Sequence, residues 1–196
     1  MAVNENQERF ILRNARHLAA DYMTRTLREG DVAIDATMGN GYDTQFLCEL
    51  VGESGHIYAF DVQQGAIDNT AARLEAAGMR ERATLILDGH QHMAQHVASP
   101  VRAVMFNLGW LPGAKHIVTT QTNTTLEAVS AAAELLLPGG VMTICVYPGH
   151  EEGTRELGAL LDWAAGLDVR KFNVLHHHFI CARPDTPRLI LVQKNL

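Results

Sequence analysis

Cysteine is scarce in this chain. Cys48, Cys145 and Cys181 are the only three; they lie far apart and none belongs to a Cys-x-x-Cys pair. That usage points to reduced thiols and a cytoplasmic setting. Cys48 and Cys145 fall in segments that read as helix and apolar strand, where cysteine serves as a small hydrophobe. Long apolar runs are also missing. None approaches a bilayer span, and residues 1–9 are polar and charged with no h-region, so neither a membrane span nor a signal peptide is expected. Positive charge is in deficit, with 16 Lys+Arg against 22 Asp+Glu and a net charge of -6. Broad nonspecific nucleic-acid binding needs a basic face and is disfavoured, which leaves room for one structured RNA held by a local patch. Repeats, low-complexity tracts and linkers are absent, so residues 1–196 read as a single domain. A hydrophobic content of 47% is enough for one substantial core.

The stretch that organises the rest runs Ile34-Asp35-Ala36-Thr37-Met38-Gly39-Asn40-Gly41-Tyr42-Asp43-Thr44. A short apolar run, residues 32–34, precedes Asp35, as in a strand buried in a parallel sheet. The amphipathic set Phe46, Leu47, Leu50 and Val51 follows the glycines. Strand, glycine turn and helix in that order let backbone N–H groups approach a nucleotide-like ligand. A lone Gly-x-Gly is also an ordinary tight turn. Its setting here is supported by a second strand, 56–61, that ends in Asp61, where a ribose-binding acid belongs. The third glycine of Gly-x-Gly-x-x-Gly is missing, since Thr44 stands there, and this places a nicotinamide dehydrogenase last among the nucleotide-binding readings.

In chain order, apolar periodicity predicts a helix over 5–28, with Arg9, Arg13, Arg16, Arg25 and Arg28 along it. These arginines read first as a solvated face with local acidic partners and second as an RNA-facing surface. Then follow strand 32–36, helix 43–51, strand 56–61, helix 64–77 and strand 83–87 before Asp88. A short helix extends from Gly89-His90 to about residue 97, and strand 101–106 leads to Asn107-Leu108-Gly109-Trp110-Leu111-Pro112-Gly113. Helix 122–136 stops at Leu137-Pro138-Gly139-Gly140. Strand 141–146 leads to Tyr147-Pro148-Gly149-His150, helix 153–165 follows, and strands 169–175 and 188–193 close the chain. The pattern predicts an α/β fold: a mostly parallel sheet with helices on both faces and an antiparallel final hairpin. Residues 37–44, Asp61, 88–90, 107–113 and 147–150 all fall at carboxyl ends of strands, where such sheets bind ligands. Scattered in sequence, they would form one site.

Three blocks carry a resemblance over nearly the whole chain: residues 35–44, residues 107–113, and Tyr147-Pro148-Gly149-His150-Glu151-Glu152-Gly153. With these blocks in this order, the chain resembles the class I S-adenosylmethionine-dependent methyltransferases. Within them it is similar to the small bacterial rRNA methylase family, which includes methyltransferases of aminomethylated wobble uridine in tRNA. Tyr42 stands where that family commonly has histidine. The resemblance implies a Rossmann-like seven-stranded sheet, S-adenosyl-L-methionine as cofactor, and N-methylation of an aminomethyl uridine in tRNA.

It also implies roles for residues. Asp35, Thr37, Met38, Gly39, Asn40, Gly41, Asp43 and Thr44 would surround the methionine end of the cofactor. Asp61 and Gln63 would serve the ribose, because a carboxylate can accept two hydroxyls at once, and Asp88, Gly89 and His90 would border the adenine. Asp61 and Asp88 also have a plain alternative as helix caps. Asn107-Leu108-Gly109-Trp110 resembles in shape the Asn-Pro-Pro-aromatic loop of amine methyltransferases. Asn107 and the Leu108 carbonyl would then accept from the target nitrogen, both bordering the cofactor, and Trp110 would stack on the base. Trp110 reads equally as a partly buried core aromatic. An aliphatic amine must lose a proton before attack; His150 is the first candidate to take it, ahead of His90 and His17.

The run His176-His177-His178 invites a metal reading, but neighbouring strand residues alternate faces and no Cys or carboxylate spacing accompanies them, so no metal is expected. The sequence leaves a homodimer open and gives no sign of a membrane partner. A small-molecule methyltransferase and a non-catalytic nucleotide- or RNA-binding protein of the same fold remain the alternatives; fold alone does not choose among them.

Overall fold

The structure, a computed structural model, describes residues 13–109 and 120–196. Its seven strands are β1 (Val32–Asp35), β2 (His56–Asp61), β3 (Ala83–Leu87), β4 (Val101–Asn107), β5 (Leu136–Val146), β6 (Phe172–His177) and β7 (Arg188–Lys194). They lie in one sheet in the order β3-β2-β1-β4-β5-β7-β6. The first five pair in parallel, and β7 runs antiparallel to both β5 and β6. The α/β class and the antiparallel final hairpin agree with the sequence pattern. The strand order was not legible in it. The chain winds outward from β1 to β3 and then returns to place β4 on the other side of β1. That reversal opens a crevice beyond the carboxyl ends of β1 and β4.

Helices α1 (Ala15–Thr26), α2 (Tyr42–Val51) and α3 (Gln64–Ala76) cover one face, and α4 (Met93–His96), α5 (Thr122–Leu135) and α6 (Glu151–Ala165) the other. Period-two alternation sorts the strand residues between two core clusters. Ala33, Ala59, Ala83 and Ala103 face α1–α3, which small side chains allow to sit close. Ile34, Phe60, Ile86, Val104 and Phe106 face α4–α6. No described helix is long and apolar enough to cross a membrane.

Several boundaries differ from the sequence pattern, and four of these have a clear local reason. Helix α1 starts at Ala15 because Asn14, in extended conformation, caps it by accepting from the His17 amide at 3.1 Å. The earlier part of the helix expected over 5–28 lies outside the described residues. Strand β5 starts at Leu136, so Pro138-Gly139-Gly140 is a bulge within the strand and not a helix-terminating loop. Leu136 pairs with Val101, the register shifts before Ala103, and Gly139 takes φ +76°. Helix α6 starts two residues early because His150 caps it. Strand β6 starts at Phe172, since the Lys171 and Phe172 amides both turn back onto the Asp168 carbonyl, at 2.8 and 2.9 Å.

Candidate active site

The turn after β1 is braced from beneath. Asp35 is 1% exposed; it accepts from the Thr44 hydroxyl at 2.6 Å and the Thr37 amide at 3.1 Å. Burial, reinforced by the nearby charge of Asp43, pushes the Asp35 carboxyl up to about 7. Thr44 and Met38 are buried too, and the Met38 amide donates to the Phe60 carbonyl at 2.9 Å. The side chains of Asp35, Met38 and Thr44 are buried and support the turn from beneath, which leaves its backbone as the part able to meet a ligand. Thr37, Gly39, Asn40, Gly41 and Asp43 form its rim.

Helix α3 grips that rim from the side. The Thr70 hydroxyl donates to the Gly39 carbonyl at 3.1 Å, Arg73 Nε to the Asn40 carbonyl at 2.8 Å, and Asn69 Nδ2 to Asn40 Oδ1 at 3.0 Å. A Cβ on Gly41 would lie 2.8–2.9 Å from Thr70, and Gly41 has φ +77°, so only glycine fits there. The Arg73 guanidinium also lies 3.6 Å over the Tyr42 ring, a cation–π contact that secures the first residue of α2. Asn69, Thr70 and Arg73 carry no signal in the sequence. They look like ordinary helix residues and act some 30 positions away in the chain.

At the end of β2, Asp61 spans the same turn. Oδ2 accepts from the Gly39 amide at 3.1 Å and Oδ1 from the Gln63 amide at 3.0 Å. Burial raises its pKa, partly offset by these amides. A carboxylate oxygen can accept more than one donor, so Asp61 can still take a hydroxyl. Gln63 stands beside it at the N-terminal position of α3, with no side-chain capping bond.

Asp88 holds the short turn after β3 together with its carboxylate. It accepts from its own Gly89 amide at 2.7 Å, from His92 Nδ1 at 2.8 Å and from His96 Nε2 at 2.9 Å. Those imidazoles hold its carboxyl down at about 2. Its neighbour His90 is buried and points Nδ1 at the Ala36 carbonyl at 3.1 Å, which requires a proton on Nδ1. Burial lowers its pKa, which favours the neutral ring, and through Nδ1 His90 ties the β3 end to the β1 turn.

The centre of the crevice is Asn107. Its amide nitrogen donates to Asp43 Oδ2 at 3.0 Å, its side-chain oxygen accepts from the Tyr147 hydroxyl at 2.8 Å, and its backbone amide donates to Thr37 Oγ1 at 2.8 Å. A carboxylate only accepts, so the orientation of the amide is fixed. Arg16 completes the chain with Nη2 at 2.8 Å and Nε at 3.3 Å from Asp43 Oδ1. The line Arg16–Asp43–Asn107–Tyr147 thus joins α1, α2, β4 and the end of β5. Burial pushes the Tyr147 hydroxyl up to about 12, so it stays a donor at neutral pH. Arg16 and Tyr147 were not singled out from sequence. The one had read as part of a solvated helix face, and the other stood in a block from which His150 was taken.

Leu108 buries its side chain and donates its amide to the Cys145 carbonyl at 2.9 Å. Trp110 lies outside the described residues. The described residues on either side of it meet, the Thr120 amide donating to the Gly109 carbonyl at 3.2 Å. His150 accepts the Gly153 amide on Nδ1 at 3.1 Å. That lone pair caps α6, so His150 would have to release the cap to act as the expected base. His17, exposed on the first turn of α1, turns Nδ1 to Asn14 Oδ1 at 2.8 Å.

Comparison with known proteins agrees with this geometry. Residues 57–193 match the model of a family described as "Putative rRNA methylase". A chloroplastic tRNA (mnm(5)s(2)U34)-methyltransferase of Arabidopsis thaliana is 37% identical over 185 residues, 87% of this chain; the chain spans 65% of that relative's length. A putative rRNA-methylase structure from Clostridium thermocellum superposes with a TM-score of 0.92 at 42% identity, over 94% of this chain and 100% of that one. A putative methyltransferase from Streptococcus mutans, solved with SAH, gives 0.85 at 37% identity, over 94% and 99%. The fold is that of the class I Rossmann-like methyltransferases, and the chain belongs to the rRNA methylase family.

Proposed function

We propose that this protein is an S-adenosyl-L-methionine-dependent methyltransferase that methylates the nitrogen of an aminomethyl group on the wobble uridine of tRNA. The observation that carries the reading is Asn107, locked by Asp43 and Tyr147 at the strand-order reversal, beside the glycine turn and Asp61. The 37%-identical Arabidopsis relative, a tRNA (mnm(5)s(2)U34)-methyltransferase, supports the substrate.

The residues present fit the cofactor. Gly41, at φ +77° and packed against Thr70 with no space for a Cβ, fixes the turn that would meet the cofactor, and the Asp61 carboxylate can accept ribose hydroxyls. Thr37 and residues 39–41 would hold the methionine end, and Gly89 the adenine edge. When bound, the cofactor supplies an electrophilic sulfonium methyl group.

What the chain supplies is alignment, which can account for several kcal/mol of a displacement barrier. Asn107 Oδ1 spends one lone pair on Tyr147 and keeps a second for an amine N–H. That hydrogen bond turns the nitrogen lone pair toward the methyl group. Tyr147 stays protonated and the His150 Nδ1 lone pair is taken by Gly153. The amine attacks through its lone pair and so reacts in its neutral form.

The test is methyl transfer from labelled cofactor to tRNA carrying 5-aminomethyl-2-thiouridine, to rRNA and to small amines, read by nucleoside mass spectrometry. Label in the wobble nucleoside alone is expected. Label only in rRNA, the substrate class in the family description, or only in a small amine, overturns the substrate assignment.

A further inference from the structure

We propose that Arg188, His176 and His178, at the upper end of the β6–β7 hairpin, form a subsite for a backbone phosphate of the RNA substrate. The inference rests on the RNA-methyltransferase reading above and adds a place where the RNA is held.

Register puts the three side chains on one face. His176 pairs with Ile190, so Arg188, two residues before Ile190, lies diagonally beside His176 on that face. His178 follows two residues after His176, and the two rings stack with centroids 6.0 Å apart. Between them, His177 points the other way and meets the Tyr22 hydroxyl at 2.9 Å. The hairpin thus separates a structural histidine from two that accompany an arginine.

The arrangement has no counter-charge. Arg188 makes no ion pair with any carboxylate among the described residues, whereas Arg13, Arg16, Arg82, Arg102, Arg155 and Arg170 each do. Its Nε is buried without a hydrogen-bond partner, and so is His176 Nε2. These are two of only four such atoms among the described residues, and they belong to adjacent basic side chains. Buried polar atoms are normally satisfied, so two orphaned nitrogens side by side ask for a shared acceptor. Arg188 and its two neighbours also repel a proton from His176, whose pKa is lowered first by burial and then by Arg188. A phosphate answers each feature: it is an anion, it presents several acceptor oxygens, and it matches the guanidinium fork. The connection between the strands, residues 178–187, carries one acid, Asp185, against Arg183, so it does not neutralise the patch.

The position suits the RNA. Arg188 sits opposite Val146 at the top of β5, one residue from Tyr147. From the strand of Asn107, β7 is two places along the sheet, about 10 Å at the usual spacing. A nucleotide presented to Asn107 therefore brings neighbouring phosphates within reach of the hairpin.

Arg188→Gln and Arg188→Lys test the proposal, with tRNA kinetics and tRNA binding measured from about 50 to 200 mM salt. For Arg188→Gln the expected result is a KM for tRNA raised about tenfold with kcat within about twofold. Cofactor affinity by calorimetry should be unchanged, and the slope of log Kd against log salt lower by about 1. Arg188→Lys, which keeps the charge and the fold if glutamine does not, should keep the salt slope and lose about threefold in KM. An unaltered KM and salt slope in a folded Arg188→Gln protein overturns the subsite while the methyltransferase reading stands. A wild-type protein that methylates no RNA overturns both. A third arm titrates inorganic phosphate into wild type and Arg188→Gln and follows the histidine Cε1–H resonances. Shifts at His176 and His178 in wild type alone support the subsite, and equal shifts in both proteins reject it.

Discussion

The Tyr147 hydroxyl donates to the side-chain oxygen of Asn107 at 2.8 Å, bringing the end of β5 to bear on the end of β4. Tyr147 is thereby a positioning residue, acting through Asn107. Removing the hydroxyl leaves the amide held only from the Asp43 side. Tyr147→Phe should lower kcat about tenfold with cofactor affinity within about twofold, a loss on the scale of one hydrogen bond. Single-turnover kinetics beside a cofactor titration separate the two effects, and an unchanged kcat would remove Tyr147 from the orienting network.

Asn107→Ala removes the orienting group itself. Interactions that matter most near the transition state affect turnover more than binding, so kcat should drop by roughly 10- to 1000-fold while S-adenosylmethionine binds almost as before. Trp110→Ala should instead raise KM for the RNA. If Asn107→Ala turns over normally and binds cofactor poorly, Asn107 belongs to the cofactor pocket.

Asp61→Ala should weaken S-adenosylmethionine and S-adenosylhomocysteine alike, by roughly 10- to 100-fold, the scale of hydrogen bonds to a charged acceptor. It also frees the Gly39 amide that Asp61 now accepts at 3.1 Å. Calorimetry on the folded variant gives the answer; equal affinities in both proteins would reject the ribose role.

Gly41→Ala meets two obstacles, a φ of +77° and Thr70 at 2.8–2.9 Å. A left-handed non-glycine residue costs about 1–2 kcal/mol, and the backbone at Thr70 must also shift. A lower Tm is expected, together with weaker cofactor binding, because the turn moves against α3. Thermal melts with and without S-adenosylhomocysteine measure both.

Two pH dependences follow from the site. Asp35 has its carboxyl pushed up to about 7 in the folded chain, above the ordinary value near 4. The folded state therefore holds a proton that the unfolded state has lost. The stability linked to Asp35 is fully present below about pH 4 and is lost as pH rises through about 7, on the order of 4 kcal/mol. Asp35→Asn should flatten that part of the denaturation-midpoint profile; an unchanged slope between pH 4 and 7 would show that Asp35 is ionised throughout.

Turnover should show the second. With the amine consumed in its neutral form, kcat/KM for the RNA should climb about tenfold per pH unit through neutrality, toward the high pKa of an alkyl amine. A plateau beginning near pH 6.5 would reveal a histidine acting as base.

The alternation of short apolar strands with amphipathic helices was enough to read an α/β sheet with a final hairpin, because burial on both faces leaves unbroken apolar runs. The glycine turn, Asp61 and Asn107 were legible too, since each sits at the end of such a run and a strand end is a local feature. Local polar partners were harder. Asp88 and His150 look like ligands in a string of letters, and whether their lone pairs are taken depends on amides and rings one helical turn away. What only the tertiary structure decided is every relation across strands. The order β3-β2-β1-β4-β5-β7-β6 puts Asn107 beside the glycine turn. Arg16 finds Asp43 across 27 residues, Tyr147 finds Asn107 across 40, and Arg73 finds the Asn40 carbonyl across 33. Such contacts leave no period or spacing in the sequence. The partners are set by where packing of the two sheet faces brings the helices, and any polar residue on an exposed helix turn reads the same until that packing is known.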